Sequence, residues 1–310
     1  MDELINSYKK LILENYQGEL DERVLNIMSI AVMALYLKDA KLAEEKLPSI
    51  LQNITVYAED RSVLEIAHDR LNNYQNDEYL KDSKAGVTRC LDVDEEDNSI
   101  SEKRALLIDT QDFRENIVMI IHNVVHEFTH LYRFGGVENN GNEIKVYDGI
   151  SLSRYNKIKK TFTRKHYQLE EGIVQRYTHQ ALDLLYEFLG DEKLVKDSPL
   201  YVFRHNYPSQ YDDCYLLQTT LLDYLCNDKE FSDCVDRSFY DIVFPSHVAN
   251  YYNSVMGSST SFSFFSRSLD KCYAEICEEN EEQAASTMQI LNSEINTFRV
   301  KSLRRQRNKK

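Results

Sequence analysis

The stretch from Asp112 to Gly135 constrains this chain more than any other. Asp112 followed three residues later by Glu115 is a capping-box start, and Gly135 suits the position past a helix end. A helix is therefore expected from about Phe113 to Phe134. At about 100° per residue, Ile117, Ile121, Val124, Phe128 and Leu131 make one apolar stripe, and Val118, Ile120 and Val125 widen it into a broad arc. Such a helix must be covered on most sides. Nearly opposite the stripe it carries His122, His126 and His130 at four-residue intervals. On a wet face these would be unremarked surface residues, but a helix buried this widely leaves little room for idle imidazoles.

The rest of the chain sets the frame. With 310 residues and 42% hydrophobic content it can bury a sizeable core. The N-terminal pattern up to about Pro48 reads as a helical pair. "ITVYAE", "GVTRCLDV" and "RALLID" read as strands, with a helix in "RSVLEIAHDRLNNY". Past the histidine helix, Asp148-Gly149 is a hairpin turn signal between two β-rich runs. Beyond Lys165 the pattern is helical almost to the end, with "MGSSTSFSFFS" from Met256 as the expected loop. The fold class is α+β and mostly helical, with a small sheet beside the histidine helix. Residues 1–50 are expected as an N-terminal helical segment, 51–190 as a core and 191–310 as a helical C-terminal lobe, packed as one compact unit.

Charge and composition narrow the function. A net charge of -14 argues for no nucleic acid partner, since phosphate binding needs concentrated Lys and Arg. The basic run from Arg299 to Lys310 reads as a solvated helix end. There is no secretory signal and no apolar stretch long enough for a bilayer, so no membrane association and a cytoplasmic location are expected. The six cysteines form no CxxC pair and read as buried thiols of a reducing compartment.

His126 and His130, one helical turn apart, can both present a ring nitrogen to one tetrahedral zinc ion (Zn2+), and Glu127 between them is placed to act as a base. His122 could pair with His126 by the same spacing, but Asn123 follows it and cannot be a base. The 126/130 register is preferred, with His122 at the rim or behind a ligand. A third ligand is offered by "KHYQLEEGIVQRYTHQALDLLYEFLG", a helix ending near Gly190, whose core stripe is read as Leu169, Ile173, Tyr177, Ala181, Leu184 and Phe188. Glu171 lies nearly opposite that stripe and is favoured over Glu170. Gly172, costly inside a helix, makes sense if another backbone comes close at its level. His166 and His179 are read as structural.

"HEFTH" at His126 to His130, followed by a helix with "EEG" at Glu170 to Gly172, resembles the gluzincin branch of zincin metallopeptidases, although the 41 positions from His130 to Glu171 exceed the familiar spacing. The resemblance implies a zincin-like catalytic core, zinc as cofactor, a peptide or protein substrate, and hydrolysis with Glu127 as general base. It also implies that "RALLID" lines the cleft and holds a peptide by strand addition. Gln175 stands where an acid is frequent, one turn after the ligand, and would orient His126 more weakly than a carboxylate. An oxyanion donor is sought in "FRHNYPSQYDD", which holds His205, Tyr207 and Tyr211; Tyr207 is preferred. Two rival readings remain: a binding or regulatory protein that keeps zinc on a zincin fold, and a helical protein with an accidental HExxH.

Overall fold

A computed structural model describes residues 1–71, 83–93, 100–190, 192–210, 215–240 and 246–308. The chain forms two compact units, one of residues 1–132 and 177–213, the other of residues 133–176 and 214–310. This differs from the expected division at 50 and 190. One of the boundaries, after Arg176, falls inside one continuous helix, which no change in composition marks.

In the first unit, helices α1 (Asp2–Asn15), α2 (Glu22–Lys38) and α3 (Ala40–Gln52) pack together. Three helices therefore stand where a pair was expected. Pro48 lies inside α3 without ending it, because a proline removes one backbone donor while buried Leu47, Ile50 and Leu51 hold the last turn down. Asp21 caps α2 by accepting from Val24 N at 2.9 Å. From Val24 to Leu35 α2 is buried nearly all round, as befits a central helix.

The same unit holds a three-stranded sheet of β1 (Ile54–Glu59), β2 (Ala85–Val93) and β3 (Ile100–Asp109), in the order β1-β3-β2. All three expected strands are present, and α4 (Val63–Arg70) starts on a capping box of Ser62 and Glu65. The remainder of the helix expected there, from residue 72 on, lies outside the described residues. "RALLID" belongs to β3, which pairs with β1 on one side and β2 on the other. Both of its edges are taken, so it cannot receive a peptide by strand addition, and that expectation is corrected.

Helix α5 (Phe113–Tyr132) packs on α2, α3, β2, β3 and α7 (Pro199–Gln210), which accounts for its wide apolar arc. Its start is where the sequence puts it, but Asp112 has φ 48° instead of the extended backbone of a side-chain cap. Its carbonyl accepts from Glu115 N at 2.8 Å and Asn116 N at 3.1 Å.

The second unit opens with four antiparallel strands in sequential order: β4 (Phe134–Asn139), β5 (Glu143–Asp148), β6 (Ser151–Asn156) and β7 (Thr161–Lys165). The hairpin at Asp148-Gly149 forms as read, with Gly149 at φ 53°. Helix α6 (Tyr167–Phe188) follows and passes from the second unit into the first. The second unit is completed by α8 (Leu216–Cys226), α9 (Lys229–Arg237), α10 (Ser246–Met256), α11 (Ser261–Cys277) and α12 (Glu281–Asn308). Phe231, Tyr252, Phe262, Phe265 and Phe298 interlock as its aromatic core, with Tyr252 and Phe298 stacked at 4.9 Å.

Two expectations change here. The serine-rich stretch from Met256 is a loop only to Thr260; Phe262, Phe265, Leu269 and Cys272 then form the buried face of α11. The basic C-terminal run is helical to Asn308 and partly packed: buried Ser302 donates to Asp228, and Arg305 lies over the Tyr251 ring. Of the cysteines, Cys226, Cys234, Cys272 and Cys277 are free thiols, and of these only Cys272 is buried as expected, Cys226 and Cys234 being half-buried and Cys277 exposed. Among the described residues no helix is long and apolar enough to cross a membrane.

Candidate metal centre

On α5 the rings of His126 and His130 meet edge to face at 4.8 Å, with their Nε2 atoms 3.1 Å apart. Glu171 on α6 joins them: one ligand atom from each of the three lies within 4.8 Å of the others. His126 and Glu171 are buried and His130 is half-buried. The group can hold a metal ion. A tetrahedral ion bound at 2.0–2.1 Å needs its ligand nitrogens about 3.3–3.4 Å apart, close to the spacing of the two imidazoles. Two neutral nitrogens and one carboxylate also form a donor set suited to a divalent transition metal.

The choice between adjacent glutamates follows from what each one touches. Glu170 is buried and accepts from both Nε and Nη2 of Arg133, the latter at 2.9 Å, and from Ile150 N at 2.9 Å. Its charge and lone pairs are spent on a fully buried guanidinium. A side chain at Gly149 would strike this pair, so the hairpin turn needs glycine for space as well as for φ. Glu171, one residue on, turns about 100° away and meets the histidines.

Helix α6 is held at the same level from outside. Asp270 of α11 accepts from Gln168 N at 3.0 Å and so caps the helix start, while Gln218 of α8 donates to Gln168. A Cβ at Gly172 would stand 3.0 Å from Gln218 Cβ and 3.1 Å from its carbonyl oxygen, so glycine lets the α8 backbone approach, as expected. The apolar stripe needs correcting. Leu184 and Phe188 are 38% and 42% exposed, whereas Leu182, Leu185 and Leu189 are buried and continue the face of Glu171. The first half of α6 is buried on every side, so the true face is legible only in the second half.

His122 stands beside the group and not in it. Its Nδ1 lies 3.1 Å from Asn123 Oδ1, while Asn123 Nδ2 donates to Ser83 Oγ at 3.2 Å, so Nδ1 carries the proton and Nε2 the lone pair. Its ring is 6.4 Å from that of His126 and 6.0 Å from that of His179. Burial pushes His122 down to about 4 and His179 to about 3, His126 adding to both, so each is neutral at physiological pH. His179 therefore belongs to the histidine row, although it falls on another face of α6 than Glu171. His166 is structural as read, buried with Nδ1 2.7 Å from Ser266 Oγ and its ring tilted against that of Phe262 at 5.3 Å.

Tyr207 is not placed for oxyanion stabilisation. Its hydroxyl donates to Asp183 Oδ1 at 3.0 Å, and burial together with that carboxylate raises its pKa. Asp183 is twelve residues beyond Glu171 on α6, about 18 Å along the axis. His205 stacks on Tyr201 and faces its carbonyl at 2.8 Å, and Tyr211 lies outside the described residues. Among a chain's 21 tyrosines, downstream order is a weak guide to place. Arg133, Gln218 and Asp270, which brace the centre, went unread because nothing local marks a buried polar partner from another element. Compared with protein-family models, curated proteins and solved structures, the chain matches none of them.

Proposed function

We propose that this protein is a zinc-dependent metallopeptidase of the gluzincin type, with His126, His130 and Glu171 as ligands and a peptide or protein of the cytoplasm as substrate. The observation that carries the reading is the convergence of two histidines one turn apart with a glutamate 41 positions downstream, with Glu127 following His126 in the sequence. When bound, zinc supplies a Lewis acid that acidifies a water toward about pH 7 and polarises the scissile carbonyl. Glu127, on the turn that carries both ligands and half-buried, takes the proton from the attacking water and passes it to the leaving amine as the C–N bond breaks. His122 and His179 stay neutral behind His126 and add no charge that would compete with the metal. Gln175, wholly buried on the turn after Glu171, can orient an imidazole through its amide oxygen.

The test is Glu127→Gln. Zinc content should remain one ion per chain while hydrolysis of a peptide library falls by at least about a hundredfold; equal cleavage by parent and variant would sink the mechanism. A second reading, zinc kept for structure in a binding protein, is favoured by the burial of His126 and Glu171. It gives the same zinc content, and no cleavage by either protein.

A further inference from the structure

Strand β7 ends the four-stranded sheet and, among the described residues, pairs with β6 alone. Every residue from Ile158 to Lys165 is exposed, although α11 comes near the strand. Alternate residues of an antiparallel edge turn their N–H and C=O groups outward, which makes such an edge a template for another strand. Two exposed apolar side chains lie here, Phe162 on the strand at 55% and Ile158 in the turn before it at 72% exposure. Five of the nine residues from Lys157 to Lys165 are basic (Lys157, Lys159, Lys160, Arg164 and Lys165) and none is acidic, on a chain of net charge -14.

Lysines on an edge ordinarily guard it against pairing with a second copy. That guard works by charge, so it discriminates: two copies of this edge repel, whereas an acidic strand is drawn in. We propose that β7 is a docking edge for an acidic, extended segment of a protein partner, which joins the sheet as a fifth strand. Main-chain bonds supply the pairing, the basic residues select for acid, and Phe162, with the Arg164 guanidinium 5.6 Å from its ring centre, offers a contact for one apolar side chain. A membrane or a nucleic acid would use the charge and leave the strand edge idle. The site does not depend on the metal reading.

The Glu127→Gln protein, chosen so that cleavage cannot remove the probe, is applied to an array of short peptides alternating glutamate with valine or phenylalanine, and to the same peptides with lysine for glutamate. Acidic peptides should bind and basic ones should not. For the best binder, N-methylation of alternate amides, tried in both registers, should weaken anisotropy-measured affinity in one register by about tenfold or more. Lys159→Glu with Lys165→Glu should do the same with circular dichroism unchanged. The proposal fails if acidic peptides bind no better than basic ones or if neither methylated register matters. It fails equally if sedimentation shows this edge pairing two copies, or if anionic lipid vesicles bind through these lysines while peptides do not.

Discussion

Arg133 grips both carboxylate oxygens of Glu170, through Nε on Oε1 and Nη2 on Oε2, while its Nη1 donates to Ser238 Oγ at 2.6 Å and its guanidinium carbon lies 4.4 Å from the Phe239 ring centre. Arg133 is three residues past His130, and Glu170 is one before Glu171. Both residues lie in the second unit, Arg133 directly after α5 and Glu170 in the first turn of α6. Arginine suits this place because its planar fork fits a carboxylate and it stays charged when buried.

Removing either partner should leave a buried charge unanswered. Arg133→Met and Glu170→Gln are each expected to lower unfolding free energy by about 3–5 kcal/mol in urea denaturation, and the double variant by less than their sum. Additive losses would mean that the two residues do not act as a unit.

Zinc titration against a chromogenic chelator should give one site. Glu171→Ala is expected to weaken it by more than about a hundredfold, since loss of an outer partner alone costs about 10–100-fold. In the apoprotein this change should leave stability nearly intact, unlike Glu170→Gln. Full zinc affinity in Glu171→Ala would move the third ligand elsewhere.

Gly172→Ala offers a test with opposed terms. Helix propensity favours alanine by about 1 kcal/mol. Against this, the new methyl meets the Gln218 backbone oxygen at 3.1 Å, and a carbonyl fixed in α8 cannot swing aside. We expect a net loss of about 1–2 kcal/mol by chemical denaturation and a larger one for Gly172→Val; a gain would show that α8 yields.

What the sequence made legible depended on range. The span of α5, the hairpin at Gly149 and the role of Gly172 follow from spacings within one element or from the cost of one residue, whereas Glu171 is preferred to Glu170 on an apolar stripe that the fold replaces. Tyr207 was misplaced, and Arg133 and Asp270 were missed, because their partners lie 24, 37 and 102 positions away in sequence. Strands β4 and β7 went unread for a related reason. "FGGVEN" has glycines where β-branched residues would signal a strand, and exposed β7 has no buried face to alternate against. The site was visible through short-range geometry, its bracing only through tertiary packing.

His166 gives a pH dependence clear of the metal ligands. Burial pushes its pKa down from 6.5 to about 4, with Lys165 and Arg267 adding to the shift. In the unfolded chain it titrates near 6.5, so as pH falls the unfolded state takes up the proton first. The stability this group supports is complete above 6.5, declines below it and is lost by about pH 4, with a total of at most about 3 kcal/mol. His166→Asn removes the titration while keeping a residue that tolerates φ 61°. Urea denaturation of the apoprotein across this range should show a shallower fall for the variant than for the parent; parallel curves would mean that His166 is protonated in the fold as readily as in the open chain.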